Sequence, residues 1–144
     1  MKKSFLNGSI GYALNTGGLL MKRELIARFK LSGHNVTPEQ WAILSRLNEG
    51  DGVNQNELAL ITLKDNANIT RIVDKLIQKK LVEKKVDMQD GRAWRIFITK
   101  SGKAMVTKLQ PLASEVLKKA TSGLSKDQVE KANGLIQKII MNLQ

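Results

Sequence analysis

Asn66, Ala67, Asn68, Thr70 and Arg71 lie close together in the chain and carry side chains that match the edges of base pairs. An asparagine can donate to and accept from adenine at once. An arginine can donate twice to guanine, and an alanine can meet a thymine methyl. The stretch from Asn66 to about Lys80 places Ile69, Ile72, Val73, Leu76 and Ile77 in one stripe at about 100° per residue, which predicts an amphipathic helix. Ala67, Arg71, Asp74 and Gln78 fall on the opposite face, flanked by Asn68 and Lys75. Asp65 precedes this helix as its expected N-cap. The positive end of the helix dipole there favours an anion such as phosphate.

Charge agrees with such a partner. The 144 residues hold 24 Lys+Arg against 13 Asp+Glu, a formal net charge of +11 at pH 7. A surface this basic suits a polyanion, whether nucleic acid, an anionic membrane surface or an acidic protein. Between Lys64 and Lys100 there are ten basic and five acidic residues, a local excess of about +5. The charge is therefore partly concentrated around the candidate reading helix.

The neighbouring elements can position that helix. Ile10, Leu14, Met21, Leu25 and Phe29 predict one long helix from about Ser4 to Lys30. Gly17-Gly18 interrupts it, and weakens it by about 1 kcal/mol per glycine relative to alanine. The pair could instead admit another helix closely or allow a kink. Thr37-Pro38-Glu39-Gln40 is a capping box with proline at the first helical position, and Gly50 ends the helix that follows. Asn54-Gln55-Asn56-Glu57 reads as a second capping box opening a short helix, with a turn at Thr62-Leu63-Lys64. After Lys80 the period becomes strand-like. Leu81–Val86 and Trp94–Ile98 alternate around a loop with an Asp90-Gly91 step, which predicts a β-hairpin. A helix from about Lys100 to Thr121 contains Pro111, so a kink or break is expected. Ser125-Lys126-Asp127-Gln128 then opens a terminal helix carrying Val129, Ala132, Leu135, Ile136, Ile139, Ile140 and Leu143. The expected fold is mainly α with a small β-hairpin wing. Two short helices joined by a tight turn and followed by a hairpin form a winged helix-turn-helix, whose second helix enters the major groove.

Several segments in this order resemble the multiple-antibiotic-resistance regulator (MarR) family. They are Asn68-Ile69-Thr70-Arg71-Ile72-Val73-Asp74-Lys75-Leu76, Leu81-Val82-Glu83-Lys84, Asp87-Met88-Gln89-Asp90-Gly91-Arg92-Ala93 and Ile98-Thr99-Lys100-Ser101-Gly102. The resemblance implies a single domain over residues 1–144. Its winged helix-turn-helix would span about 53–100, and its dimerisation helices about 4–30 and 101–144. It implies a homodimer that binds double-stranded DNA, more often as a repressor than an activator. Arg71 would contact DNA from the reading helix, with Asn66, Ala67 and Asn68 before it and Thr70 and Lys75 beside it. Gln55 falls where the family contacts phosphate. Arg92 at the wing tip would enter the minor groove, steadied by Asp90. Two departures stand out. Gly91 replaces the first of two arginines, and Lys80 replaces a glycine that often ends the reading helix.

The family also binds small, often aromatic or anionic effectors between the dimer helices and the winged domain. Tyr12, Met21, His34 and Trp41 lie on segments bordering that place, although ordinary core packing is the better account of Met21 and Trp41. Cysteine is absent and His34 is the single histidine, so no cofactor, thiol chemistry or transition-metal site is expected. No catalytic constellation stands out, and an enzyme is not expected. No apolar run approaches the roughly 18–20 residues of a membrane span. The start, Met1-Lys2-Lys3, leads into no apolar signal region, and the default expectation is a cytoplasmic protein without membrane contact. Two other functions fit the same elements. A winged helix used for protein interaction would bind its partner independently of salt. A sequence-tolerant architectural DNA binder would show steep salt dependence without preference.

Overall fold

Ser9 sets the start of the first long helix. Its side chain accepts from the Tyr12 backbone N–H at 3.5 Å, so α1 runs Ile10–Leu31. The expected start near Ser4 is therefore too early, and a 3-10 turn at Leu6–Gly8 precedes the cap instead. The computed structural model describes residues 4–144, and the basic start Met1-Lys2-Lys3 lies outside the described residues. Gly17 and Gly18 lie within α1 with no heavy atom within 4 Å of where a Cβ would stand. Among the described residues no other helix approaches them closely.

The remaining helices are α2 (Pro38–Glu49), α3 (Gln55–Thr62), α4 (Asn66–Gln78), α5 (Lys100–Ala120) and α6 (Lys126–Leu143). The strands are β1 (Val53–Asn54), β2 (Val82–Val86) and β3 (Trp94–Ile98). Both expected capping boxes at Thr37 and Ser125 form in full. The one expected at Asn54 does not. The Asn54 side chain reaches only the Asn56 N–H, at 2.8 Å, while Glu57 turns to Arg46 at 3.6 Å. Pro111 neither breaks nor ends α5. It and Thr107, whose carbonyl loses a partner to it, both face solvent, so water can replace the missing hydrogen bond.

The hairpin is antiparallel, with Val82 opposite Ile98 and Val86 opposite Trp94. The sequence alone did not reveal β1, which adds a third antiparallel strand by pairing Val53 with Ile96 and Asn54 with Arg95. Val82, Ile96 and Ile98 face inward, joining Ile43, Leu44, Leu58, Ile69, Val73 and Leu76 in one core. Phe29 of α1 and Leu109 of α5 complete it. Gly102 lets α5 start against the sheet. A Cβ there would lie 2.2 Å from the Leu81 carbonyl oxygen and 2.6 Å from Ile98 Cγ1.

Candidate nucleic-acid interface

The turn between α3 and α4 fixes the angle at which α4 projects. Leu63 adopts φ +53°, and the Leu63 and Lys64 N–H groups donate back to Leu60 and Ala59 at 3.4 and 3.1 Å. A non-glycine residue pays roughly 1–2 kcal/mol for that left-handed conformation. The next helix is capped as expected. Asp65 accepts from the Asn68 backbone N–H at 2.8 Å and from its side-chain amide at 3.1 Å. Asn68 Oδ1 in turn accepts from the Arg71 guanidinium. Asp65, Asn68 and Arg71 thus form a relay that orients the arginine before any partner arrives.

The predicted reading residues divide into two groups. Asn66, Ala67 and Arg71 are exposed on the first two turns of α4, and Lys75 is exposed in its last turn. Gln55, Asn68 and Thr70 are engaged within the protein. Gln55 Nε2 donates to Thr70 Oγ1 at 3.0 Å, and that hydroxyl donates to the Asn66 carbonyl at 2.8 Å. These bonds brace α3 against α4. Gln55 Oε1 is buried without a partner, so half of this amide is unsatisfied inside the protein.

At its far end α4 closes by the common route, with a lysine in the place of the glycine. Lys80 takes φ +61°, with the Lys80 N–H on the Ile77 carbonyl at 2.9 Å and the Leu81 N–H on the Leu76 carbonyl at 3.0 Å. This is the Schellman arrangement that glycine usually supplies, with Leu76 and Leu81 both buried. Lys79, one residue earlier, reaches back across the fold. Its ammonium donates to the Asn35 carbonyl and, at 2.9 Å, to Gln40 Oε1. Gln40 is buried and also holds the Thr37 N–H at 3.2 Å. Burial, and then the charge of Lys75, hold the Lys79 ammonium below the usual lysine range.

The wing tip is organised by two aspartates. Asp90 Oδ1 accepts from the Arg92 backbone N–H at 3.1 Å, so Asp90 fixes the backbone beneath Arg92 instead of pairing with its guanidinium. Asp87 is buried and accepts from the Gln89 N–H at 2.9 Å, the Asp90 N–H at 3.4 Å and Arg95 Nε at 3.0 Å. The Gln89 amide is the main reason its carboxyl lies below the ordinary value, against the opposing effect of burial. Lys84 lies 4.6 Å from the centre of the Trp94 ring and Lys85 5.1 Å from that of Phe97, so both stems are laid along the hairpin. Asp87, Arg95 and Lys79 were not among the predicted site residues. Aspartate at the start of a turn was the one available signal for Asp87.

A cavity of about 460 Å³ opens where α1 and α5 meet the lobe built from α2, α3, α4 and the three strands (the reading lobe), with Met21, Leu25, Trp41, Ile43, Ile72 and Val116 in its wall. Lys22, Glu39 and Lys64 also line it. Trp41 is half-buried and meets Phe29 edge to face, with ring centres 6.0 Å apart. Burial raises the Glu39 carboxyl, but its hydrogen bonds from Lys22 and its own backbone, with the charges of Lys22 and Lys64, hold it below its usual range. Two of the four predicted lining residues, Met21 and Trp41, are here. Tyr12 and His34 are not. Tyr12 lies exposed near the opposite end of α1, and His34 lines a separate groove with Ile26, Gly33 and Val36.

Two short helices, an exposed polar face on the second and a three-stranded wing define the class: this is a winged helix-turn-helix protein. The MarR family profile matches residues 34–93. A probable transcriptional regulator from Pseudomonas aeruginosa superposes with a TM-score of 0.80 at 30% identity, covering 93% of this chain and 98% of that one. The chain belongs to the MarR family. The S. aureus MepR–DNA complex is similar at 25% identity and a TM-score of 0.80, over 94% of this chain and 97% of that chain. The HTH-type transcriptional repressor IacR of Pseudomonas putida is 26% identical over 105 residues, which cover 73% of this chain but only 63% of IacR. Among the described residues no helix is long and apolar enough to cross a membrane.

Proposed function

We propose that this protein is a cytoplasmic, sequence-specific DNA-binding repressor that grips a pseudo-palindromic operator as a homodimer. The observation that carries this reading is the first part of α4, where Asn66, Ala67 and Arg71 are exposed and Arg71 is oriented through Asn68 and Asp65. Arg71 and Asn66 are the direct readers, Lys75 meets phosphate, and Arg92 enters the minor groove at the flank. Gln55, Asn68 and Thr70 chiefly hold these groups in place. The homodimer is supported by α6, an 18-residue helix with Leu135, Ile136, Ile139, Ile140 and Leu143 at helical spacing and no buried residue. A second copy of the chain would cover that face together with the exposed Leu19 and Leu20 of α1.

The cavity beside Trp41 takes a small aromatic acid. Its wall is apolar, and two lysines against one glutamate leave a positive rim for a carboxylate or phenolate. Occupancy wedges between α1 or α5 and the reading lobe, and so alters the spacing of the two α4 helices in the dimer. Selection of duplexes from a random pool tests the main reading. Enrichment of an inverted repeat with half-site centres about 10 bp apart is expected. Recovery of unrelated sequences contradicts it. For the effector, phenolic and other aromatic acids should raise the melting temperature and lower operator affinity together, and a Trp41→Ala variant should lose both responses.

A further inference from the structure

Arg95 anchors the wing to the rest of the reading lobe through its side chain. Arg95 points from β3 so that Nε donates to Asp87 Oδ2 at 3.0 Å, while Nη1 donates to the Gly52 carbonyl at 2.6 Å. Gly52 lies immediately before β1 and two residues before Asn54, the N-cap of α3. It takes φ +69°, and a Cβ there would stand 2.9 Å from the Phe97 ring. Asp51 Oδ1 closes the same spot by accepting from the Gly52 N–H at 3.0 Å and from the Ile98 N–H of β3 at 2.8 Å. The other oxygen of Asp87 holds the Gln89 and Asp90 amides of the tip. An unbroken series of contacts therefore runs from the backbone under Arg92, through Asp87 and Arg95, to the entry of α3.

We propose that Asp87 and Arg95 are positioning residues for DNA recognition: their pair, latched onto the Gly52 carbonyl, fixes the wing relative to the helix-turn-helix and thereby aims Arg92. This rests on the DNA-binding reading above. The latch compensates for Gly91, which leaves the tip with a single arginine and a more permissive backbone. A lone arginine is useful in the minor groove only if its approach is fixed. Arginine is required at position 95 because a planar fork reaches a carboxylate and a carbonyl together, which an ammonium on a flexible stem does not.

The test is a pair of double-mutant cycles on an enriched duplex. Asp87→Asn keeps an acceptor for the tip amides but turns its other atom into a donor facing Arg95. It should weaken binding by about 5- to 10-fold while leaving the melting temperature within a few degrees. Arg92→Ala should cost about 10-fold in the unaltered protein and less than about 2-fold in the Asp87→Asn background. Arg71→Ala should cost the same in both. Arg95→Met should reproduce Asp87→Asn, and Arg95→Lys should not restore coupling; this second pair keeps the test decisive if Asp87→Asn folds poorly. An undiminished Arg92 effect in these backgrounds overturns the proposal. So does equal coupling to Arg71 and Arg92, which would indicate a general structural role. Failure of the unaltered protein to bind any duplex is a different outcome and removes the DNA-binding reading itself.

Discussion

The reading lobe and the terminal helix differ in how far one chain can complete them. Between α2 and β3, the side chains of Ile43, Leu44, Leu58, Ile69, Val73, Leu76 and Ile96 are fully buried by elements of the same chain. Helix α6 has as regular an apolar stripe, yet Leu135 is 68% exposed and no residue of the helix is buried. Hydrophobic burial is worth about 25 cal/mol per Å², so a helix that leaves such a face in water forgoes most of its tertiary stabilisation. The lobe is finished by its own packing, whereas α6 is finished, in the proposed dimer, by a second copy. In that proposal DNA reading and assembly are carried by separate surfaces that can be broken separately.

The largest effect should come from α6. Ile136→Glu with Ile139→Glu should convert a dimer to a monomer by sedimentation and lower operator affinity by about 10²–10⁴-fold, because two linked reading heads become one. The lobe should retain its helix content, since neither side chain is part of its core. Gly102→Ala attacks the other side of the comparison. Its methyl group would overlap the Leu81 carbonyl and Ile98, so a loss of about 3 kcal/mol is expected in denaturant titrations. Arg71→Ala should leave both folding and dimerisation intact and cost about 1–3 kcal/mol of operator affinity, with relaxed preference at one base position. The smallest change should be a gain. Lys80→Gly relieves a left-handed lysine at the end of α4, offset by a freer unfolded chain, and should stabilise the lobe by about 0.5–1 kcal/mol in thermal melts.

What was legible in the sequence follows the range of the interactions. Thr37, Asp65 and Ser125 cap the helices they precede, because each cap is decided within four residues. The Arg71 face of α4 was legible for the same reason: its apolar stripe defines its opposite. Asn54 resembled those caps, but its box failed because Glu57 is drawn to Arg46 on another helix. Strand β1 is two residues long and carries no period to detect. The Arg95–Gly52 and Lys79–Asn35 contacts join residues 43 and 44 positions apart, so neither clamp could be read from local spacing. The cavity shows the same limit. Met21 and Trp41 share it because α1 crosses α2 beside them, while Tyr12, on the same helix as Met21, is carried away from it.

The central claim is that one exposed turn of α4 reads sequence. Polarisation titrations of an enriched duplex and its scrambled counterpart, at salt from about 50 to 200 mM, test it most directly. The account predicts that both affinities fall steeply with salt while the enriched duplex stays about 10³-fold or more the tighter, and that Arg71→Ala narrows that gap. Equal affinity for the two duplexes, or a gap untouched by Arg71→Ala, would contradict it.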